Sequence, residues 1–274
     1  MHDASNDLTS MIEAARAAGG GLRAHFSQLG SLSVRTKAGG PADMVSIADE
    51  EAERTVRAML ASAQPSFGFL GEEGGRHGGS DDAQTWIVDP LDGTTNFLFA
   101  CPLWGVNVAL AREGRVVAGV TYLPVLDELY VAEKGKGAWL NGQRIHVSQR
   151  VKLIESVLAC GIPFAGKPEH PVFAREMALL SAQVSGIRRT GACAIDMAWV
   201  AAGRWDAYWE RATNAWDIAP GVILVEEAGG LATSVTGTPL DLHGQNVCVS
   251  NGSLHAGLVA QLNFALWQQT ETAG

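Results

Sequence analysis

The densest chemistry in the chain lies in Trp86-Ile87-Val88-Asp89-Pro90-Leu91-Asp92-Gly93-Thr94-Thr95-Asn96-Phe97. Trp86 to Val88 are aromatic and β-branched, which predicts a short buried strand running into Asp89. Pro90 has no N–H and pushes the residue before it toward extended backbone, so the strand is expected to stop and turn there. Such a turn would aim the carboxylates of Asp89 and Asp92 at one point, with the Leu91 carbonyl between them. Gly93 permits a tight bend, and Thr94-Thr95-Asn96 supply hydroxyl and amide groups where a helix can begin. Carboxylate and carbonyl oxygens suit Mg²⁺, and free N–H groups at a helix start suit a phosphate. The same residues are also good turn formers, so the choice between turn and site depends on whether other acids join them.

Four further acids stand at element ends. Asp49 opens a helical pattern carrying Val56, Met59 and Leu60, where an acid also favours the helix dipole. Glu72, beside Glu73, follows the apolar run Phe67–Leu70, and Glu210 closes the run from Trp205. Asp217 precedes Pro220, a residue tolerated in the first helical turn, so Asp217 is expected at a helix N-terminus. Strand ends and helix starts are where ligands gather in sheet-and-helix proteins. Carboxylates converging from them would make an all-oxygen site for two or three cations, able to hold attacking and leaving oxygens of an in-line displacement.

The elements that must position these acids alternate along the chain. A helix is expected from Leu8 to Leu29, capped by Ser5 or Asn6 and interrupted at Gly19-Gly20-Gly21. Val34 to Gly40, with Lys37, reads as a mobile loop, and Gly74 to Asp82 as a flexible one matching neither a P-loop nor a dinucleotide fingerprint. Trp104–Leu110, Arg115–Tyr122 and Glu128–Ala132 form a meander by spacing, and Asn141-Gly142 marks a hairpin. From about Val151 strands (Leu153–Ala159, Ile187–Thr190, Thr233–Val235, Val247–Ser250) alternate with helices (Pro171–Val184, Ile195–Val200, Ile218–Ala228, Leu254–Leu266). A composition shift near 145–152 separates an N-terminal half, 1–150, from a C-terminal half, 151–274, packed as one compact unit.

Composition narrows the partners. With 47% hydrophobic and 18% charged residues in 274, the chain can bury a sizeable core. A net charge of −9 argues against nucleic acid or an anionic membrane as main partner, and would repel a phosphorylated substrate unless bound cations reversed the sign locally. No run is long enough for a membrane span, and Met1-His2-Asp3-Ala4 lacks a secretory start, so a cytoplasmic protein is expected. Cys101, Cys160, Cys193 and Cys248 are dispersed without a C-x-x-C pair, which predicts free thiols rather than zinc.

Taken together, Gly71-Glu72-Glu73, the Trp86–Phe97 motif and Trp216-Asp217-Ile218-Ala219-Pro220-Gly221, followed by Glu226-Glu227-Ala228-Gly229-Gly230, resemble the inositol monophosphatase family of Mg²⁺-dependent, lithium-sensitive phosphomonoesterases. The resemblance spans nearly the whole chain. It implies an α/β fold, a five-layered α/β/α/β/α sandwich of the sugar-phosphatase type, usually homodimeric. It implies that Glu72, Asp89 and the Leu91 carbonyl hold one metal, Asp89, Asp92 and Asp217 a second, and Glu72 helps hold a third. Asp49 and Glu73 would hydrogen-bond metal waters. Gly93 and Thr94 would bind phosphate through backbone N–H groups, and Thr94 and Glu72 would orient the attacking, metal-activated water. Lys37 matches a loop lysine near the active site, and Glu210 an acid that binds substrate hydroxyls.

Three departures bear on the substrate. Gly191-Ala192-Cys193 stands where many relatives have Gly-Thr-Ala, Asn214 replaces a histidine, and Leu98-Phe99-Ala100-Cys101-Pro102 lacks a His or Arg. The expected reaction is hydrolysis of inositol 1-phosphate or a similar polyol phosphate. Histidinol-phosphate and fructose-1,6-bisphosphate remain alternatives, as does a protein that binds RNA or transcription machinery.

Overall fold

A computed structural model describes residues 4–31, 34–36, 44–79, 81–163 and 168–271. Lys37 lies outside them. Helix α1 (Asn6–Phe26) starts where the Ser5 hydroxyl accepts the Leu8 N–H and runs unbroken through its three glycines. The expected interruption is absent, and at Gly19 the glycine has a packing reason: a Cβ there would come within 2.7 Å of the Tyr122 ring. Close approach to the sheet outweighs the ~1 kcal/mol that glycine costs in a helix. Strands β1 (Val34–Thr36) and β2 (Met44–Ser46) pair antiparallel, so part of the expected loop is a strand. Helix α2 (Ile47–Ala63) follows directly.

Strands β3 (Phe67–Gly71), β4 (Gly75–His77) and β5 (Asp81–Asp92) come next, then the short helix α3 (Thr94–Leu98). The stretch expected to be a flexible loop therefore contains β4, which turns back antiparallel on β3. Strand β5 does not stop at Asp89; it passes Pro90 and reaches Asp92 through a register shift against its neighbour. The missing proline N–H is accommodated by that bulge, which re-aims the following side chains. A meander of β6 (Gly105–Arg112), β7 (Arg115–Leu123), β8 (Glu128–Glu133), β9 (Ala138–Leu140) and β10 (Gln143–Ile145) completes an eight-stranded sheet ordered β10-β9-β8-β7-β6-β5-β3-β4.

A 3₁₀ turn (Leu153–Glu155) replaces the start of the strand expected from Leu153. Beyond it lie β11 (Val157–Cys160), α4 (His170–Ser181), β12 (Gly186–Arg188), α5 (Cys193–Ala201), β13 (Ala207–Arg211), α6 (Ala215–Glu227), β14 (Leu231–Thr233), β15 (Asn246–Ser250) and α7 (His255–Glu271). Their strands form a five-stranded sheet ordered β12-β11-β13-β15-β14.

Five layers result. Helices α1 and α2 bury Met11, Ala14, Leu22, Val56 and Leu60 against one face of the large sheet. Helices α5 and α6 fill the space between the sheets with Ile195, Met197, Ile223 and Leu224. Helices α4 and α7 close the outer face of the small sheet around Leu180, Trp209 and Leu258. Burial of this kind, ~25 cal/mol per Å² of apolar surface, is the main force holding the layers. Pro220 is not in the first turn but is the sixth residue of α6. It lies where β7 comes closest: a Cβ at Gly119 would be 2.9 Å from Pro220 Cα, so glycine admits the helix. The four cysteines are free.

Candidate active site

The acids meet at one end of the large sheet. Glu72 follows β3, with its N–H donating to the Val88 carbonyl at 3.2 Å, which ties it to the strand bearing Asp89. Asp89 and Asp92 end β5, the Asp89 Oδ1 accepting the Leu91 N–H at 3.0 Å. Asp217 lies in the first turn of α6 and accepts the Asn214 N–H at 2.6 Å in a capping box, as expected of an acid at a helix start.

The electrostatics show how close these groups are. Asp89 is pushed well above the usual carboxylate range by burial and then by the charges of Glu72, Asp92 and Asp217; it also shares a side-chain hydrogen bond with Glu72. Burial, followed by Glu72, raises Asp217 well above that range, partly offset by its Asn214 bonds. Asp92 rises to about 7, chiefly by burial. Backbone N–H groups of Cys193 and Ala194 donate to the Asp92 carboxylate and oppose that rise. The start of α5 thus already holds Asp92, a contact that sequence reasoning did not foresee.

Gly93 takes φ +90°, a conformation that side chains resist, and turns β5 into α3. Thr94 is the first residue of α3, and its hydroxyl donates within reach of the Leu91 carbonyl (3.0 Å) and Asp49 Oδ1 (3.1 Å). Asp49 is fully buried and also accepts the Ser46 hydroxyl (2.6 Å) and N–H (2.9 Å). Its carboxyl is raised by burial, with a smaller contribution from Glu72.

Gly191, Ala192 and Cys193 lead into α5 beside Gly93 and Asp92, and Glu210 stands near the end of β13. Asn96 Nδ2 donates to the Leu103 carbonyl (2.6 Å) and to the Thr190 carbonyl (2.9 Å), fastening α3 to the turn before α5. Gly191 takes φ +85° there. Cys193 is buried, and its thiol is raised by burial and then by Glu210, Asp92 and Asp217, so it sits among all three acids. Glu210 accepts the Tyr208 hydroxyl; burial, helped by the Asp217 charge, raises it to about 7, while the Tyr208 bond and the Arg189 charge act the other way. Room for its carboxylate comes from Gly161, where any Cβ would overlap it.

Sequence reasoning also missed two residues. Asn107 is fully buried opposite Asp89 in the β5–β6 register, accepts the Thr121 hydroxyl (2.7 Å) and reaches the Asp217 carbonyl (3.4 Å). Its signal was a lone amide inside an apolar strand. Glu53, buried on α2, accepts backbone N–H groups of the Glu73 loop, and its signal was a spacing of four from Asp49.

Oxygen-only donors, several of them buried and mutually repelling, are the set a hard divalent cation requires. A positive charge among them would relieve the repulsion that raises Asp89 and Asp217. Among the described residues no three acidic, histidine or cysteine side chains are arranged to hold a metal ion as they stand. The carboxylates bond to one another and to backbone instead.

Comparison with known proteins settles the family. The model of the inositol monophosphatase family matches residues 3–266. The chain belongs to that family. It is 49% identical to inositol-1-monophosphatase of Caulobacter vibrioides, over 93% of this chain and 100% of that one. It is 38% identical to the Nus factor SuhB of Pseudomonas aeruginosa, over 93% and 95%. Among solved structures, the extragenic suppressor protein suhB of Bartonella henselae superposes with a TM-score of 0.91 at 42% identity, covering 94% of this chain and 98% of that one. This inositol monophosphatase family member has the family's fold and is a phosphoric monoester hydrolase. The family is generally Mg²⁺-dependent. No helix among its described residues is long and apolar enough to cross a membrane.

Proposed function

We propose that the protein hydrolyses inositol 1-phosphate, or a closely similar polyol phosphate, with two to three Mg²⁺ ions. The observation that carries this reading is the convergence of Glu72, Asp89, Asp92 and Asp217 beside the start of α3. Glu72, Asp89, Asp92, Asp217 and the Leu91 carbonyl would hold the metal. Bound there, divalent cations supply acidification of a water and neutralisation of phosphoryl charge.

The chain's own groups do the rest. The Gly93 and Thr94 N–H groups stand at the start of α3, where a phosphate is favoured. Thr94 and Glu72 orient the water, Asp49 fixing the Thr94 hydroxyl. Glu73 supports the metal water, and Lys37 matches the family's lysine near the active site. Glu210 accepts hydrogen bonds from the polyol, its carboxylate steadied by Tyr208, while Gly191, Ala192 and Cys193 shape the wall beside it. Catalysis of this kind is mostly positioning and electrostatic stabilisation. Because Asp217 and Glu210 come from the C-terminal half and the other acids from the N-terminal half, residues 1–150 and 151–274 act as one unit. We further assign it to the cytoplasm as a homodimer.

A panel of inositol 1-phosphate, histidinol phosphate and fructose 1,6-bisphosphate, assayed with Mg²⁺ and with EDTA, tests the reading. Inositol 1-phosphate is expected to turn over best, and only with Mg²⁺. Dominant turnover of histidinol phosphate would replace the assignment.

The similarity to a Nus factor favours a second reading, a role on RNA or transcription machinery. RNA binding by the protein that survives Asp217→Asn would support it as an additional role.

A further inference from the structure

One face of α2 reaches two parts of the site and the adjoining strand β4 in succession. Asp49, Glu53 and Arg57 recur every four residues, so they line one side of the helix. Asp49 accepts the Thr94 hydroxyl, and Arg57 Nη1 lies 2.7 Å from His77 Nε2 on β4. Between them, Glu53 faces the loop that carries Glu72. Its Oε2 accepts the Glu73 N–H and its Oε1 the Gly74 N–H, both at 2.8 Å. Glu53 is only 5% exposed. The loop is shaped to receive it: a Cβ at Gly71 would be 2.3 Å from Oε2, and one at Gly74 2.6 Å from Oε1. The glycines on both sides of Glu72-Glu73 are therefore there to admit this carboxylate. Two successive N–H groups held by both oxygens of one side chain fix the backbone on the C-terminal side of Glu72. The Glu72 N–H, bonded to Val88, fixes the other side.

We propose that Glu53 is a positioning residue for the reaction: it clamps the Glu72 loop against α2 in the form that receives metal. This rests on the reading that Glu72 is a metal ligand. Only a carboxylate can do it, because glutamine offers one acceptor oxygen and would turn its own N–H groups toward the second donor. Partners that orient metal ligands typically change metal affinity by roughly 10–100-fold when lost.

The test compares wild type, Glu53→Gln, Gly74→Ala and Glu72→Gln. Amide hydrogen exchange is followed in metal-free protein, Mg²⁺ binding by calorimetry, and turnover across Mg²⁺ concentration. Glu53→Gln is expected to speed exchange at Glu73 and Gly74 at least about tenfold, with β6 and β7 unchanged, and to weaken Mg²⁺ binding by roughly 10–100-fold. High Mg²⁺ should restore most of kcat. Should Glu53→Gln fail to fold, Gly74→Ala, which presses on the same carboxylate from the loop side, is expected to show the same pattern. Unchanged exchange and Mg²⁺ affinity in whichever variant folds would overturn the clamp. Loss of Mg²⁺ affinity in Glu53→Gln, with none in Glu72→Gln, would instead remove Glu72 as the ligand while leaving Glu53 as the clamp.

Discussion

The site has two acidic walls, and their charges are balanced to different degrees. Asp89, Asp92 and Asp217 are raised by burial and then by neighbouring acids, with no cation among the groups that act on them, so the chain alone leaves their charge poorly balanced. Glu210 is also raised by burial and by the Asp217 charge, but Tyr208 donates to it and Arg189 lies near enough to favour its charge. A wall whose charges oppose each other asks for a cation and suits the reacting phosphoryl group. A wall whose one carboxylate is steadied by the protein suits hydroxyl recognition. Perturbed carboxylates therefore mark both walls, and the neighbours separate their roles.

Four experiments would break or sharpen that contrast. The largest effect is expected from Asp89→Asn or Asp217→Asn, which should lower kcat/KM by roughly 10³-fold or more at saturating Mg²⁺, a magnitude usual for lost electrostatic machinery. The melting temperature without metal should stay the same or rise, since repulsion is removed; near-normal turnover in either variant would refute the division of roles. Next, Glu210→Gln should cost roughly 10–100-fold with inositol 1-phosphate and little with a simple aryl phosphate. Equal losses on both esters would place Glu210 on the reacting wall instead.

The third concerns pH. Asp92 and Glu210 have folded-state values of about 7, above their unfolded values near 4. Between those limits the folded state binds more protons, so the stability of metal-free protein should fall as pH rises from about 4 to 7. Mg²⁺ should stabilise the protein more at pH 8 than at pH 5, because the acids must be ionised to bind it. Melting curves with EDTA and with Mg²⁺ at both pH values check this, and a metal-free protein that gains stability over that span would contradict it. The smallest effect belongs to Tyr208→Phe. Losing a bond that lowers Glu210 should move the acid limb of polyol turnover to higher pH, with a loss of about three- to tenfold at neutral pH. An unmoved pH profile would detach Tyr208 from recognition.

Much of the fold was legible because hydrophobic periodicity and turn residues are local. The meander from Gly105 to Glu133, the Asn141-Gly142 hairpin and the start of α6 around Asp217 follow from their own residues. Local rules failed where a distant surface intervened. Tyr122 packs on Gly19 within an unbroken helix, Pro220 sits in the second turn against Gly119, and β5 continues past Pro90 through a bulge paired with β6. Composition could not anticipate these, since each depends on a partner far along the chain.

The sequence by itself determined which acids the protein has, their order, and the family motifs that carry them, because side-chain chemistry and short-range spacing are written residue by residue. Tertiary structure alone decided that Asp92 meets the start of α5, that Asn107 lies opposite Asp89, and that Glu53 grips the Glu72 loop. The physical reason is that burial and the approach of like charges depend on three-dimensional distance. Layers assembled from both halves of the chain set that distance.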